Sequence, residues 1–138
     1  MGQQQLLLLV LGAIIVGVAI VVGINIFSTS AVNANRDAVV QDCLTIATKA
    51  QQWWRTPTVL GGGQRDFAAN EPAAGLLSVL HFPGTNENGS YAISSVTPDQ
   101  FTITGTGTEP GPDPDFLTVQ LVVHGQSIDN PTINIPGS

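Results

Sequence analysis

Residues Leu6 to Ile24 read LLLLVLGAIIVGVAIVVGI, 19 residues without a polar or charged side chain, and the chain then continues NIFSTSAVNANRDAVVQDCLTIATKAQQWW to Trp54. A hydrocarbon layer about 30 Å thick takes roughly 20 helical residues to cross, so the first stretch is long enough to span one. The second stretch is amphipathic. Val32, Val39, Cys43, Ile46, Ala50 and Trp53 recur at alternating three- and four-residue steps, apart from Arg36, and Val40, Leu44, Ala47 and Trp54 widen the stripe. Asp37, Gln41, Asp42, Thr45 and Lys49 occupy much of the opposite side. Gln3 to about Gln52 is therefore expected as one helix, roughly 75 Å long at 1.5 Å per residue.

A cleavable secretory signal places Lys or Arg ahead of a shorter apolar stretch and an A-x-A-like site behind it. Here no basic residue precedes Arg36, and Gly23-Ile24-Asn25-Ile26-Phe27 is a poor cleavage site, so the apolar segment is expected to be retained. Within it, Ala13 and Gly17, and again Ala19 and Gly23, stand at small-x-x-x-small spacing, with Gly12 a further notch. Small side chains at that spacing let helix backbones approach closely where no water drives association. The plainer reading is that glycine is frequent in membrane helices.

Arg55-Thr56-Pro57 ends the helix, because the residue before a proline is pushed out of the α region. Gly61-Gly62-Gly63 supplies a turn but lacks the strand, helix and Lys-Ser/Thr of a phosphate-cradling loop. Phe67 to Phe82 is expected to hold a short helix or turn followed by an extended piece. Farther on, Tyr91 and Ile93, then Phe101 and Ile103, then Leu117, Val119, Leu121 and Val123 alternate with mostly polar neighbours, the period of half-buried strands. Asn88-Gly89, Pro98-Asp99 and the stretch from Gly111 to Asp115 are the turns. Ile133 and Ile135, flanked by Pro131 and Pro136, suit an edge strand.

The expected class is α+β, a long N-terminal helix packed by a small antiparallel sheet head. The chain divides into an apolar membrane or filament-core helix over 1-27, the amphipathic half of the same helix over 28-54, a connecting region over 55-88 and the sheet head over 89-138. Trp53 and Trp54 are the expected anchor on which the head packs; they lie about 40 Å beyond Phe27 along the helix, which disfavours a membrane-interface belt.

Charge and chemistry narrow the function. The 138-residue chain has a net charge of −6; its four basic residues fall between Arg36 and Arg65, and from Asp66 onward there are eight acids and no Lys or Arg. A head of that sign repels phosphate backbones, so nucleic acid is not an expected partner. The lone Cys43 has no intrachain disulfide partner and reads as a small buried hydrophobe. His81 and His124 have no carboxylate at metal-ligand spacing, and no enzymatic activity or organic cofactor is expected. The best small-ligand candidate is calcium on Glu109, Asp113 and Asp115, three carboxylates within seven residues; a solvated acidic turn is the alternative. Asn88-Gly89-Ser90 matches the N-glycosylation sequon on a turn.

An apolar N-terminal helix continuous with an amphipathic half and capped by a small antiparallel sheet resembles the type IV pilin superfamily, including the pseudopilins of type II secretion. In that family the mature chain carries Glu at its fifth position and follows a short basic leader ending in Gly. Counted from Met1, Gln5 falls at the glutamate position and Leu6-Leu7-Leu8-Leu9-Val10 matches the apolar continuation; counted from Gln3, Leu7 is fifth. Neither registration restores the glutamate, so the amides of Gln3, Gln4 and Gln5 and the backbone carbonyls near Met1 are expected to accept the terminal amine's hydrogen bonds, within or between subunits, or else the amine is modified or neutral. The resemblance implies a structural subunit, held in the cytoplasmic membrane and then polymerised by pilus-type machinery into an extracellular filament for adhesion, motility or biofilm scaffolding. Gln5, Gly12, Ala13, Gly17, Ala19 and Gly23 are the expected helix-packing positions, and Gly23-Ile24-Asn25 is a candidate for local melting on assembly. The alternatives are a pseudopilin or minor tip subunit of a secretion system, and a membrane-tethered binding domain that never polymerises.

Overall fold

The computed structural model describes residues 2–68, 75–111 and 114–136. Helix α1 runs unbroken over Gly2–Arg55, 54 residues and about 80 Å at the usual rise. A 3-10 turn follows at Thr58–Leu60, then the short helix α2 at Leu76–Val79. Four strands complete the chain: β1 (Gly89–Ser94), β2 (Gln100–Pro110), β3 (Phe116–His124) and β4 (Thr132–Asn134). They form an antiparallel meander in the order β1-β2-β3-β4. The architecture is pilin-like, a long apolar N-terminal helix followed by a small antiparallel sheet.

The C-terminal half of α1 lies across β2 and β3. Val39, Cys43, Ile46, Ala47 and Ala50 are fully buried there against Phe101, Ile103, Leu117, Val119, Leu121 and Val123. On β2 the inward positions are Phe101, Ile103, Gly105 and Gly107, so the face tapers from large side chains to none. The helix closes on the bare end. A Cβ at Gly105 would stand 2.7 Å from Val39 Cγ1 and 3.0 Å from Cys43 Sγ, and at Gly107 it would collide with Asn35 Oδ1.

Polar clips fix the helix to the head, among them Asn35, Asp42 and Gln51, whose Nε2 donates to the His124 and Ser127 carbonyls at 3.0 and 3.1 Å. Asn35, buried in the stripe, donates from Nδ2 to the Asn88 carbonyl at 2.7 Å, and its Oδ1 accepts the Thr108 amide at 3.0 Å. Asp42 Oδ2 accepts three bonds, from the Tyr91 hydroxyl at 2.6 Å, Asn86 Nδ2 at 2.8 Å and Asn88 Nδ2 at 2.9 Å. Partial burial raises the Asp42 pKa, but the bonds from Asn88, Tyr91 and Asn86 outweigh it and hold the carboxyl below its ordinary value. Burial, and then the Asp42 carboxylate, push the Tyr91 phenol up.

The sequence places Asp42 and Lys49 on a solvated flank, and the structure puts head residues there. Asn86 and Asn88 reach Asp42, and Lys49 Nζ sits 5.6 Å from the Phe82 ring centre, because the chain before β1 passes over that flank. The connecting region also enters the core. Phe67, Leu76, Leu77 and Leu80 are buried, and Phe67 meets Phe101 edge-on at 4.8 Å and Trp54 at 6.0 Å. The short helix expected in this region is α2, but in place of an extended piece the chain turns through His81, at φ 54°. At the other edge β4 ends at Asn134, with Ile133 exposed and Ile135 beyond the strand but packed on the core.

Removing buried methyls without collapse of the site costs roughly 2–5 kcal/mol for an Ile→Ala change. Ile46→Ala is expected to destabilise the head by that amount in urea titrations of the full chain in detergent, followed by tryptophan fluorescence. Ile14→Ala, on the uncovered half of the helix, is expected to leave the same transition unmoved. Asp42 gives a pH signature. Its folded pKa lies below the unfolded one, so its contribution is complete above the ordinary value of 3.8 and is lost as the pH falls through the folded value. The stability gap between wild type and Asp42→Asn should therefore be full at pH 7 and close below about pH 4. A gap independent of pH would contradict a charged clip.

Candidate functional site

Over residues 2–30 the helix packs on no other element among the described residues, and its side chains are exposed. The large apolar residues from Leu6 to Phe27 are all at least half exposed, Leu9 at 72% and Phe27 at 79%. The segment is long and apolar enough to cross a membrane. An exposed apolar strip of this length exceeds the few hundred Å² of contiguous apolar area that soluble monomers usually leave open.

The small residues form two notched faces. At about 100° per residue, Gly12, Ala19 and Gly23 fall within roughly 40° of one another, and Ala13 and Gly17 form a second group roughly 120° round the helix. Added Cβ atoms at Gly12, Gly17 and Gly23 meet nothing from the rest of the chain, and Ala13 and Ala19 are exposed. The notches have no occupant among the described residues. Gln5 is exposed and makes no side-chain hydrogen bond among the described residues. The helix is continuous through Gly23-Ile24-Asn25, where the Asn25 carbonyl accepts from Thr29 Oγ1 at 3.0 Å.

The remaining candidates belong to the head. Trp53 and Trp54 are 9% and 6% exposed; Trp53 Nε1 donates to the Gly61 carbonyl at 3.0 Å and Trp54 Nε1 to the Pro98 carbonyl at 3.1 Å. Each indole thus buries its ring and satisfies its one donor. Of the three carboxylates considered for calcium, Glu109 and Asp115 are exposed, while Asp113 lies outside the described residues. Among the described residues no group of three or more His, Cys, Asp or Glu side chains is placed to hold a metal ion. Asn88 Nδ2, the atom a glycan would occupy, is the one that donates to Asp42. His124 Nε2 lies 3.3 Å from Asp129 Oδ2 on the surface, and His81 Nδ1 is bonded to the Ser78 carbonyl.

Asn35, Gly105 and Gly107 are the structurally decisive residues not singled out from the sequence. Their signals were present. Val32, Asn35, Val39 and Cys43 keep steps of three and four, so Asn35, not Arg36, holds the stripe position. Gly105 and Gly107 continue the period of two set by Phe101 and Ile103. Comparison of the chain with protein-family profiles, with curated proteins and with solved structures returns no match.

Cys43 is fully buried, and burial, with the Asp42 charge beside it, pushes its thiol up to about 12. A thiolate-directed reagent needs the ionised form. Labelling of Cys43 in the full chain should thus track unfolding of the head across a urea series, whereas rapid stoichiometric labelling of the folded chain would show that helix and sheet separate readily.

Proposed function

We propose that this chain is a structural subunit of an extracellular, pilus-like filament, which it forms by packing its N-terminal helix with copies of itself. The observation that supports this reading is the uncovered apolar half of α1, on the same unbroken helix that carries the head. Left in water, that surface costs roughly 25 cal/mol for each Å² of apolar area. Two environments remove the cost. As a monomer the segment from Leu6 to Ile24 sits in the cytoplasmic membrane, and on assembly, by pilus-type machinery, it enters the filament core. There the notched faces at Gly12, Ala19 and Gly23 and at Ala13 and Gly17 receive neighbouring helices, since close backbone approach is what associates helices without water. Two faces suit a helical polymer, in which each subunit has neighbours on more than one side.

The acidic head faces water on the outside, with adhesion, motility or scaffolding as its role. The length of the apolar run fits a bilayer equally well, which supports a second reading, a membrane-tethered binding domain that never polymerises. A pseudopilin or minor tip subunit of a secretion system would use the same helix packing.

Electron microscopy of filaments sheared from cells, with the subunit identified by mass spectrometry in the same fraction, separates these readings. Wild-type filaments containing this chain are expected. Gly17→Leu should abolish them while the membrane-inserted monomer persists, because a leucine there pushes two backbones apart. Normal filaments from Gly17→Leu would refute packing at that notch, and the absence of wild-type filaments would favour the tether.

A further inference from the structure

The end of α1 is closed by the chain folding back on it. The Gly63 amide donates to the Trp53 carbonyl at 2.9 Å, Arg65 to Trp54 at 2.7 Å and Gln64 to Thr56 at 3.0 Å. These bonds hold Gln64 and Arg65 at φ 49° and 66°, in the left-handed region that non-glycine residues seldom occupy. Strained backbone of this kind persists only where the surroundings impose it. The result is to set Arg65 beside Arg55. Trp54, Arg55, Arg65 and Gln126 line an open groove of about 570 Å³, with the Arg65 guanidinium 6.0 Å from the Trp54 ring centre. Both arginines are exposed, and neither forms an ion pair among the described residues. Two guanidinium forks and a primary amide around one groove match a carboxylate, which accepts from each.

The opposite end of the head presents carboxylates and has no uncommitted base among the described residues. Glu87, Glu109 and Asp115 are exposed there, none in an ion pair among the described residues, and the nearby Arg36 is engaged by Asp37 at 2.9 Å. The three share one edge: Thr108 Oγ1 donates to the Glu87 carbonyl, and Pro110 pairs with Phe116 across the end of β2 and β3. Asn35, which binds this edge, precedes Arg55 by 20 residues, so the two ends are about 30 Å apart along the helix. Three acids stand at the groove end: Asp129 is paired with His124, Asp66 Oδ1 accepts the Ala68 amide, and Asp99 is exposed on the turn, its backbone carbonyl accepting the Gly125 amide. Among the described residues none of them forms an ion pair with Arg55 or Arg65.

We propose that the Arg55–Arg65 groove is a carboxylate-binding site, and that its occupant is the Glu87, Glu109 and Asp115 edge of a second copy of this chain. The contact joins unlike surfaces, and with the helices parallel, as in the filament, each copy is displaced by about 30 Å along the helix direction, so the contact repeats as an open array instead of closing into a ring. This inference rests on the filament reading and adds to it a second bond between subunits, outside the apolar core. It sets the stagger between neighbours, and it weakens with salt because exposed charges are screened over about 8 Å at physiological ionic strength.

The test uses the full chain in cells. Arg55→Glu with Arg65→Glu should lower the yield of sheared filaments at least tenfold, as should Glu87→Lys with Glu109→Lys and Asp115→Lys. All five changes in one chain should restore it, with head folding of each variant checked by tryptophan fluorescence. Gln126→Cys with Glu109→Cys should give a ladder of disulfide-linked copies under mild oxidation, since Cys43 is buried and inert. Filaments unaffected by either reversal, with no ladder, would overturn the contact and leave the filament reading standing. A ladder in membranes without any filaments would uphold the contact and defeat the filament reading. Absence of both filaments and ladder would defeat both.

Discussion

One unbroken helix has to satisfy two different surroundings, and every other feature of the chain follows from how it divides them. Its second half is covered by the chain itself: Val39, Cys43, Ile46, Ala47 and Ala50 have no solvent contact. Its first half is covered by nothing, with Leu6 to Phe27 open along about 30 Å. The boundary falls where Ser28, Thr29 and Ser30 interrupt the apolar sequence. Because the backbone is helical across that boundary, whatever happens to the apolar half positions the head rigidly.

The head is small enough to need the helix. Its sheet has one apolar face and no second layer apart from α1 and the segment holding Phe67, Leu76, Leu77 and Leu80. The taper on β2 from Phe101 to Gly107 lets the helix descend at one end, and Asn35 and Asp42 bond the backbone and side chains that approach there. At the other end the two indoles fill the wider gap. Apolar contact supplies most of the stabilisation, while the polar clips fix the rotation and register of the helix against the sheet, since each bond is satisfied in one arrangement only.

The sequence made the architecture legible because its two periods are clean. A run of 19 apolar residues, a stripe at steps of three and four, and three stretches alternating by two led to the helix and to β1, β2 and β3 in their observed places. What stayed hidden was contact made by short polar residues. Asp42 looks like an ordinary solvated acid on a helix flank, and nothing local shows that Asn86, Asn88 and Tyr91, more than 40 residues on, converge on it. The same holds for Arg65: its place beside Arg55 depends on a left-handed turn after Gly61-Gly62-Gly63 that no periodicity announces. The apolar run and its small residues were visible directly, and the structure adds that the helix through them is unbroken and that nothing among the described residues covers them.

In the filament reading, copies of this chain, rather than lipid alone, cover the apolar half of α1. A photo-activatable side chain placed at Ile14 of the otherwise unaltered protein, irradiated in cells and in the sheared extracellular fraction, addresses it directly. Covalent dimers and longer ladders of this chain, formed through the helix and enriched in the sheared fraction, are the predicted result. Adducts to lipid alone, with the whole population remaining in the membrane, would contradict it.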